Sequence, residues 1–260
     1  MKIGVVADIH CGPDSDTQLG SQAPVLLEGF CDAMEAFGPD LLVDLGDRIN
    51  PVASRQDRQR TVWVRRRLLE IGVPVLHVLG NTDVGNLTKA ELAPLLEQGR
   101  PYACLERYDP RIVLLNSQDP PFEQAGGEIG PEQMAWLADV LERGSGPALI
   151  FGHHPLDEQD LRGHRYFAAK PDRAHVRNRE RVRGLLERSG RVLAVFAGHM
   201  HWTRAAVINR IPYVTLGSLV DCGYTGGRPA GTFAAVTIRG RSVEVRVSGL
   251  QPEQFHFGTA

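Results

Sequence analysis

Short apolar runs alternate with amphipathic stretches from the start of the chain. Residues 3–7 (IGVVA), 41–45 (LLVDL), 73–79 (VPVLHVL), 148–151 (ALIF) and 192–197 (VLAVFA) are bounded by Gly, Pro or Asp. Such runs, short and rich in β-branched residues, predict buried strands. Between them, residues 22–37 place Leu26, Phe30, Ala33, Met34 and Phe37 at three- and four-residue spacing, which predicts a helix with one apolar face. Gly38-Pro39 stops it. Residues 55–70 carry Val64, Leu68 and Leu69 behind an arginine-rich face. Residues 131–143 open on Pro131, a good first helical residue, and align Met134, Leu137 and Leu141. Residues 175–189 run to Gly190, a C-terminal cap. Alternation of strand and helix builds an α/β fold with parallel strand pairs.

Beyond residue 201 the pattern changes. Residues 203–208, 211–216, 232–238 and 242–248 read as strands with no long helix between most of them, the last two as a hairpin around Arg239-Gly240-Arg241. A further pair, near 102–106 and 111–115, is separated by Asp109-Pro110. The expectation is one domain over residues 1–260, a helix-covered mixed sheet joined by a second, more antiparallel sheet from strands at about 203–248.

Composition narrows the classes. The chain has 260 residues, 42% hydrophobic and 23% charged, with a formal charge of −2, which excludes wholesale disorder. No run approaches the ~18 apolar residues of a membrane span. The near balance of charge excludes a basic nucleic-acid coat, so nucleic acid is not an expected partner. Cys11, Cys31, Cys104 and Cys222 form no C-x-x-C pair and are too sparse for a disulfide scaffold. The residues ahead of strand 3–7 make no signal peptide, and the expected compartment is the cytoplasm.

The informative polar residues follow the strands. Strand 3–7 ends in Asp8-Ile9-His10, strand 41–45 in Gly46-Asp47, and strand 73–79 in Gly80-Asn81-Thr82-Asp83. Strand 148–151 ends in Gly152-His153-His154-Pro155, and strand 192–197 in Gly198-His199-Met200-His201. Ligand sites of open α/β sheets gather outside the carboxyl ends of strands. In extended chain, Asp-x-His and His-x-His would put both side chains on one face. Asp8, His10, Asp47, Asn81, His153, His199 and His201 are too many donors for one transition metal and suit two ions sharing a carboxylate. Oxygen and imidazole donors without thiolate favour Mn, Fe or Zn and disfavour an Fe–S centre. The net positive charge of such a centre attracts an anionic substrate and a hydroxide, the layout of metal-assisted hydrolysis.

The ordered set D-x-H, G-D, G-N-x-D, G-H-H-P and G-H-x-H over residues 8–201 resembles the five motifs of the calcineurin-like metallophosphoesterase superfamily. The resemblance implies a four-layer α/β/β/α sandwich, two mixed sheets flanked by helices, with a dinuclear site at one edge. It implies that Asp8, His10 and His201 hold one divalent metal ion, that Asn81, His153 and His199 hold the other, and that Asp47 bridges both. It further implies in-line attack of a metal-activated hydroxide on a phosphate ester. Two departures stand out. The family's third motif usually carries a His that assists the leaving group, and here that position is Thr82. A hydroxyl is no general acid near neutral pH, and losing such help costs ~10²–10⁴-fold. The iron–tyrosinate branch carries a Tyr three residues after the bridging Asp, and here that residue is Asn50.

The expected catalytic residues are therefore Asp47, Asn81, Thr82 and His154, the last as the nearest replacement acid or, equally, as support behind ligand His153. His164 and His175 read as solvated loop or helix histidines, with folding over the site the alternative. Residues 156–180 form a long polar connection, a lid or recognition loop from which Arg162, Arg165, Tyr166 or Arg173 would reach a small substrate. His77 lies mid-strand and reads as a satisfied core histidine; Asp221 belongs to the cleft rim. The expected activity is phosphodiester hydrolysis, with phosphomonoester hydrolysis the alternative. A non-catalytic metal-binding scaffold of the same fold stands behind both.

Overall fold

The computed structural model describes residues 1–120 and 126–258. In chain order the elements are β1 (Lys2–Val6), α1 (Ala23–Phe37), β2 (Leu41–Asp44), α2 (Ser54–Leu69), β3 (Val75–His77), α3 (Lys89–Leu96), β4 (Ala103–Leu105), β5 (Arg111–Leu114), β6 (Gln118–Asp119) and β7 (Glu128–Ile129). Then come α4 (Pro131–Arg143), β8 (Ala148–Phe151), α5 (Arg179–Ser189), β9 (Val192–Ala197), β10 (Arg204–Ile208), β11 (Ile211–Thr215), β12 (Phe233–Arg239), β13 (Ser242–Ser248) and β14 (Glu253–Phe257).

Two six-stranded mixed sheets carry the fold, in the orders β14-β13-β12-β1-β2-β3 and β10-β11-β9-β8-β5-β4. In the first, β1, β2 and β3 are parallel and β12 runs antiparallel to β1. In the second, β5, β8, β9 and β11 are parallel, with β4 and β10 antiparallel at the edges. Strand alternation explains the layers. Ile3, Val5, Leu41 and Val43 of the first sheet face Leu114, Leu149, Phe151 and Phe196 of the second across a shared core. On the outer face, Val6 and Leu42 meet Leu27, Phe30 and Met34 of α1 and Val64 and Leu68 of α2. Val113, Ile150 and Val195 likewise meet Leu137 and Leu141 of α4 and Val182 and Leu186 of α5. The central strands are covered on both faces, which is why they read as continuous apolar runs. The result is the expected α/β/β/α sandwich.

Three details differ from the sequence reading. The strands at 203–248 do not make a sheet of their own. β11 joins β9, whereas β12 and β13 continue the first sheet beyond β1. Alternation reports that a face is buried, not which strand lies alongside. Helix α5 starts at Arg179, because Asn178 is held to Ile129 by two hydrogen bonds, accepting at 3.1 Å and donating at 2.8 Å. Helix α3 and strand β14 were unexpected. Thr88 and Glu91 form a capping box that marks the start of α3, but Pro94 interrupts its pattern; β14 is a largely exposed edge strand.

Phe151 is fully buried between the sheets and stacks on Phe196 at 5.1 Å. Phe151→Ala is expected to lower stability by about 3–5 kcal/mol in urea denaturation with an unchanged m value. A loss below ~1 kcal/mol would contradict this packing.

Candidate metal centre

The turns after β1, β2, β3, β8 and β9 meet at one edge of the sandwich. Asp8, His10, Asp47 and Asn81 come from the first sheet, and His153, His199 and His201 from the second. The two Asp-x-His and His-x-His pairs are not in extended chain. They lie beyond the strand ends, and Asp8, His10, Asp47, His199 and His201 all adopt positive φ, between 43° and 70°. They are five of the eight non-glycine residues with positive φ among the described residues. Such conformations cost on the order of 1–3 kcal/mol each and gather at functional sites. Main-chain bonds between turns hold them: Asp8 N–H donates to Gly46 O at 3.0 Å and His10 N–H to Asp47 O at 2.9 Å. Gly198 N–H donates to His153 O at 2.9 Å. Packing is close enough that a Cβ on Gly80 would collide with the Asp47 carboxylate.

The side chains fall into two groups. In one, His10 Nε2 and His201 Nε2 are 3.0 Å apart, and Asp8 Oδ1 is 3.4 Å from His201 Nε2 and 3.8 Å from His10 Nε2. In the other, His153 Nε2 lies 3.2 Å from Asn81 Oδ1 and 3.5 Å from Asp47 Oδ1. The second oxygen of Asp47 is 3.7 Å from His10 Nε2, so this carboxylate spans both groups. Metal–ligand bonds of ~2.1 Å in tetrahedral or octahedral geometry separate neighbouring donors by about 3.0–3.4 Å. Asp8 Oδ1 is buried without a hydrogen-bond partner among the described residues. His199 sits beside the second group, its ring 5.1 Å from that of His153. Buried oxygen and imidazole donors at these separations fit a pair of divalent cations.

Outer contacts aim the imidazoles. His153 Nδ1 is 2.8 Å from the Leu45 carbonyl, His199 Nε2 is 2.9 Å from the Arg173 carbonyl, and His201 Nδ1 is 3.1 Å from Asp221 Oδ2. Each leaves the other ring nitrogen for the centre. Charge is divided accordingly. Burial opposes a proton on His153, yet the Asp47 carboxylate outweighs it and lifts the group to about 9. Burial likewise opposes a proton on His201, but Asp221 and Asp8 raise it to about 10. Burial and the neighbouring His201 lower His10; burial and His154 hold His199 well below the usual range. A divalent cation would take the place of the protons on His153 and His201, since a ligating imidazole must be neutral.

A buried network fixes the Asp47 turn. The Arg48 guanidinium is fully buried, paired with Asp44 and with Asp83 at 2.7 Å, and donates to the Val78 carbonyl at 2.6 Å. Asp83 also accepts the main-chain N–H groups of Asp47 and Arg48 at 3.0 Å and of Gly80 at 2.9 Å. His77 Nδ1 contacts Asp44 Oδ2 at 2.9 Å and is the satisfied core histidine the sequence suggested. Sequence reading placed Asp83 in the G-N-x-D motif without a role and did not single out Arg48.

A calcineurin-like phosphoesterase family model matches residues 1–203, which include all five turns. The chain belongs to this family. It is 29% identical over 222 residues to a cAMP/cGMP dual specificity phosphodiesterase of Mycobacterium tuberculosis, covering 81% of this chain and 62% of that one. It is 24% identical over 156 residues to a probable cyclic nucleotide phosphodiesterase of Synechococcus, covering 60% and 58%. The chain thus spans about three fifths of the length of these curated relatives. The crystal structure of a dimetal phosphatase from Danio rerio superposes with a TM-score of 0.77 at 18% identity, over 100% of this chain and 99% of that one, a likeness of fold.

A cleft of about 260 Å³ opens over the two groups. Thr82 lines it; its N–H donates to Asp47 Oδ1 at 2.8 Å, and its hydroxyl has no partner among the described residues. His154, expected as the replacement acid, is not in the cleft lining. It is buried behind His199, the rings 4.1 Å apart, with Nδ1 2.7 Å from Ser117 Oγ. His164 and His175 are buried, not solvated, and burial lowers His175 to about 4. His164 lines the cleft, but its Nε2–H is committed to the Met200 carbonyl at 2.9 Å. Of the four loop candidates, Arg165 and Tyr166 line the cleft. Arg162 pairs with Asp160, and the Arg173 guanidinium is bonded to the Tyr166 hydroxyl at 3.0 Å. Asp221 was expected only at the rim, yet it orients His201.

Asp83→Asn would leave Arg48 with one carboxylate. The expected cost is about 3–5 kcal/mol of stability. Titration calorimetry should also show Mn²⁺ affinity lowered ~10–100-fold, as for groups that support ligands. Wild-type values for both would show that the network does not hold the turn.

Proposed function

We propose that the chain is a dinuclear, metal-dependent phosphoesterase that favours phosphodiesters. The observation that carries this reading is the pair of buried donor groups joined by Asp47 at the floor of an open cleft. Asp8, His10 and His201 are assigned to one cation, Asn81, His153 and His199 to the other, and Asp47 to both. Bound there, two divalent ions supply Lewis acidity toward phosphoryl oxygens and an activated hydroxide nucleophile. Mn and Fe suit these donors, and Zn is compatible with them.

The protein's own work is positioning. Asp8 Oδ2 accepts His199 N–H at 2.9 Å, tying the first turn to the last. Thr82 N–H holds Asp47 from the cleft side. Asp8 and Asp47 offset about half the charge of two divalent cations, and a diester monoanion with one hydroxide balances the remainder. The Thr82 hydroxyl donates a hydrogen bond but supplies no proton near neutral pH, which suits esters whose leaving group needs little protonation. The names of the curated relatives point the same way, toward diesters of the cyclic-nucleotide kind. His154, enclosed by Ser117 and His199, supports His199 in this scheme. The shared inter-sheet core supports a single domain, and the free cysteines suit a reducing compartment, the cytoplasm. No described helix is long and apolar enough to cross a membrane.

Protein reconstituted with Mn²⁺ is expected to cleave bis(p-nitrophenyl) phosphate faster than p-nitrophenyl phosphate, and to lose activity on chelation. Asp47→Asn should lower kcat/KM by more than the ~10–100-fold typical of outer-sphere groups. The opposite substrate ranking would make it a phosphomonoesterase. Metal content below about one equivalent after reconstitution would leave a scaffold rather than an enzyme.

A further inference from the structure

We propose that the turn His164–Phe167 forms the wall that receives the leaving group, and that this group is the base-bearing part of a nucleoside ester. The inference rests on the phosphoesterase reading above. The turn is built with two residues inward and two outward. His164 and Phe167 are buried. His164 donates through Nε2 to the Met200 carbonyl, and its Nδ1 accepts the N–H groups of Tyr166 at 3.2 Å and Phe167 at 3.0 Å. Met200 stands between His199 and His201, and the Phe167 ring lies 4.8 Å from that of His199. The wall is thereby fastened to the same turn that carries two donors of the floor.

Arg165 and Tyr166 point outward into the cleft. The Arg165 N–H donates to the Tyr224 hydroxyl at 2.9 Å, so Tyr224, also in the lining, belongs to the same surface. The Arg165 guanidinium has no carboxylate within ion-pair distance among the described residues. Nearby Arg162 and Arg179 are each paired, to Asp160 and Glu158. Tyr166 leaves 42% of its surface exposed, although Lys170 Nζ lies 4.4 Å from its ring centroid and Arg173 donates to its hydroxyl at 3.0 Å, so a base would stack on the rest of the ring. An unpaired planar cation beside aromatic rings matches one kind of partner well. Rings stack on the π-face of any nucleobase, and a guanidinium either stacks or donates in pairs to ring acceptors. A bare phosphate would use the cation and leave the rings idle.

The test is calorimetric binding of AMP and of ribose 5-phosphate, which lacks the base, to the Mn²⁺-loaded protein. Mn²⁺ stoichiometry is measured separately. Wild type is expected to favour AMP. Tyr166→Ala and Arg165→Ala should each weaken AMP roughly tenfold or more while leaving ribose 5-phosphate and Mn²⁺ binding unchanged. Tyr166→Phe, which keeps the ring, should retain AMP affinity. Equal losses for both ligands would reduce the wall to an anion contact and overturn the inference. So would unchanged AMP binding in both alanine variants, or no AMP preference in wild type. Failure of wild type to bind Mn²⁺ would instead defeat the phosphoesterase reading.

Discussion

A single buried cation organises the oxygen side of the site. Arg48 is taken wholly out of water, which is tolerable only because Asp44 and Asp83 flank it and the Val78 carbonyl accepts from its Nη2. Asp83 does more than neutralise. By accepting three main-chain N–H groups from Asp47, Arg48 and Gly80, it locks the turn after β2 to the turn after β3. The relative placement of Asp47 and Asn81 is therefore set by a carboxylate outside the cleft lining. Asp8 does the equivalent on the other side, with Oδ2 on the His199 N–H and its carbonyl accepting the Ser218 hydroxyl at 2.7 Å. These bonds offset the cost of five donor residues held in left-handed backbone.

The centre lies at the seam of two sheets. Its carboxylates and amide come from one sheet, and three of its four imidazoles from the other. The inter-sheet core that buries Val43, Phe151 and Phe196 consequently fixes the spacing between oxygen and nitrogen donors. Such packing is as dense as a crystal, so the donors are pre-placed to within small tolerances. The histidines divide by their neighbours. Carboxylates raise the proton affinity of His153 and His201 against burial, whereas burial, with neighbouring imidazoles, lowers that of His10 and His199. The same side chain is thus shifted in opposite directions by its surroundings.

Much of this was legible before any coordinates. The central strands declare themselves because both faces are buried, and α4 matches its predicted limits to the residue. All seven donors are visible as polar residues placed directly after apolar runs, four of the five turns opening on glycine. Other features were hidden for specific reasons. The apportioning of β10–β13 between two sheets is a pairing choice that periodicity does not encode. Arg48 looks like an ordinary surface charge, and Asp83 like a motif residue of no stated role, until the fold buries them against each other. His154 and His164 sit in motif and loop alike, but whether an imidazole faces a cleft or a carbonyl depends on chain far away, on Ser117 and Met200.

Local order along the chain thus determined which residues are donors and that they follow strands, since burial and turn chemistry act over a few neighbours. Tertiary structure alone decided how the donors partition, in which direction each imidazole is shifted, and which loop residues stand over the floor. Those outcomes depend on distances between residues up to about two hundred positions apart, and only the packing of one sheet on the other sets them.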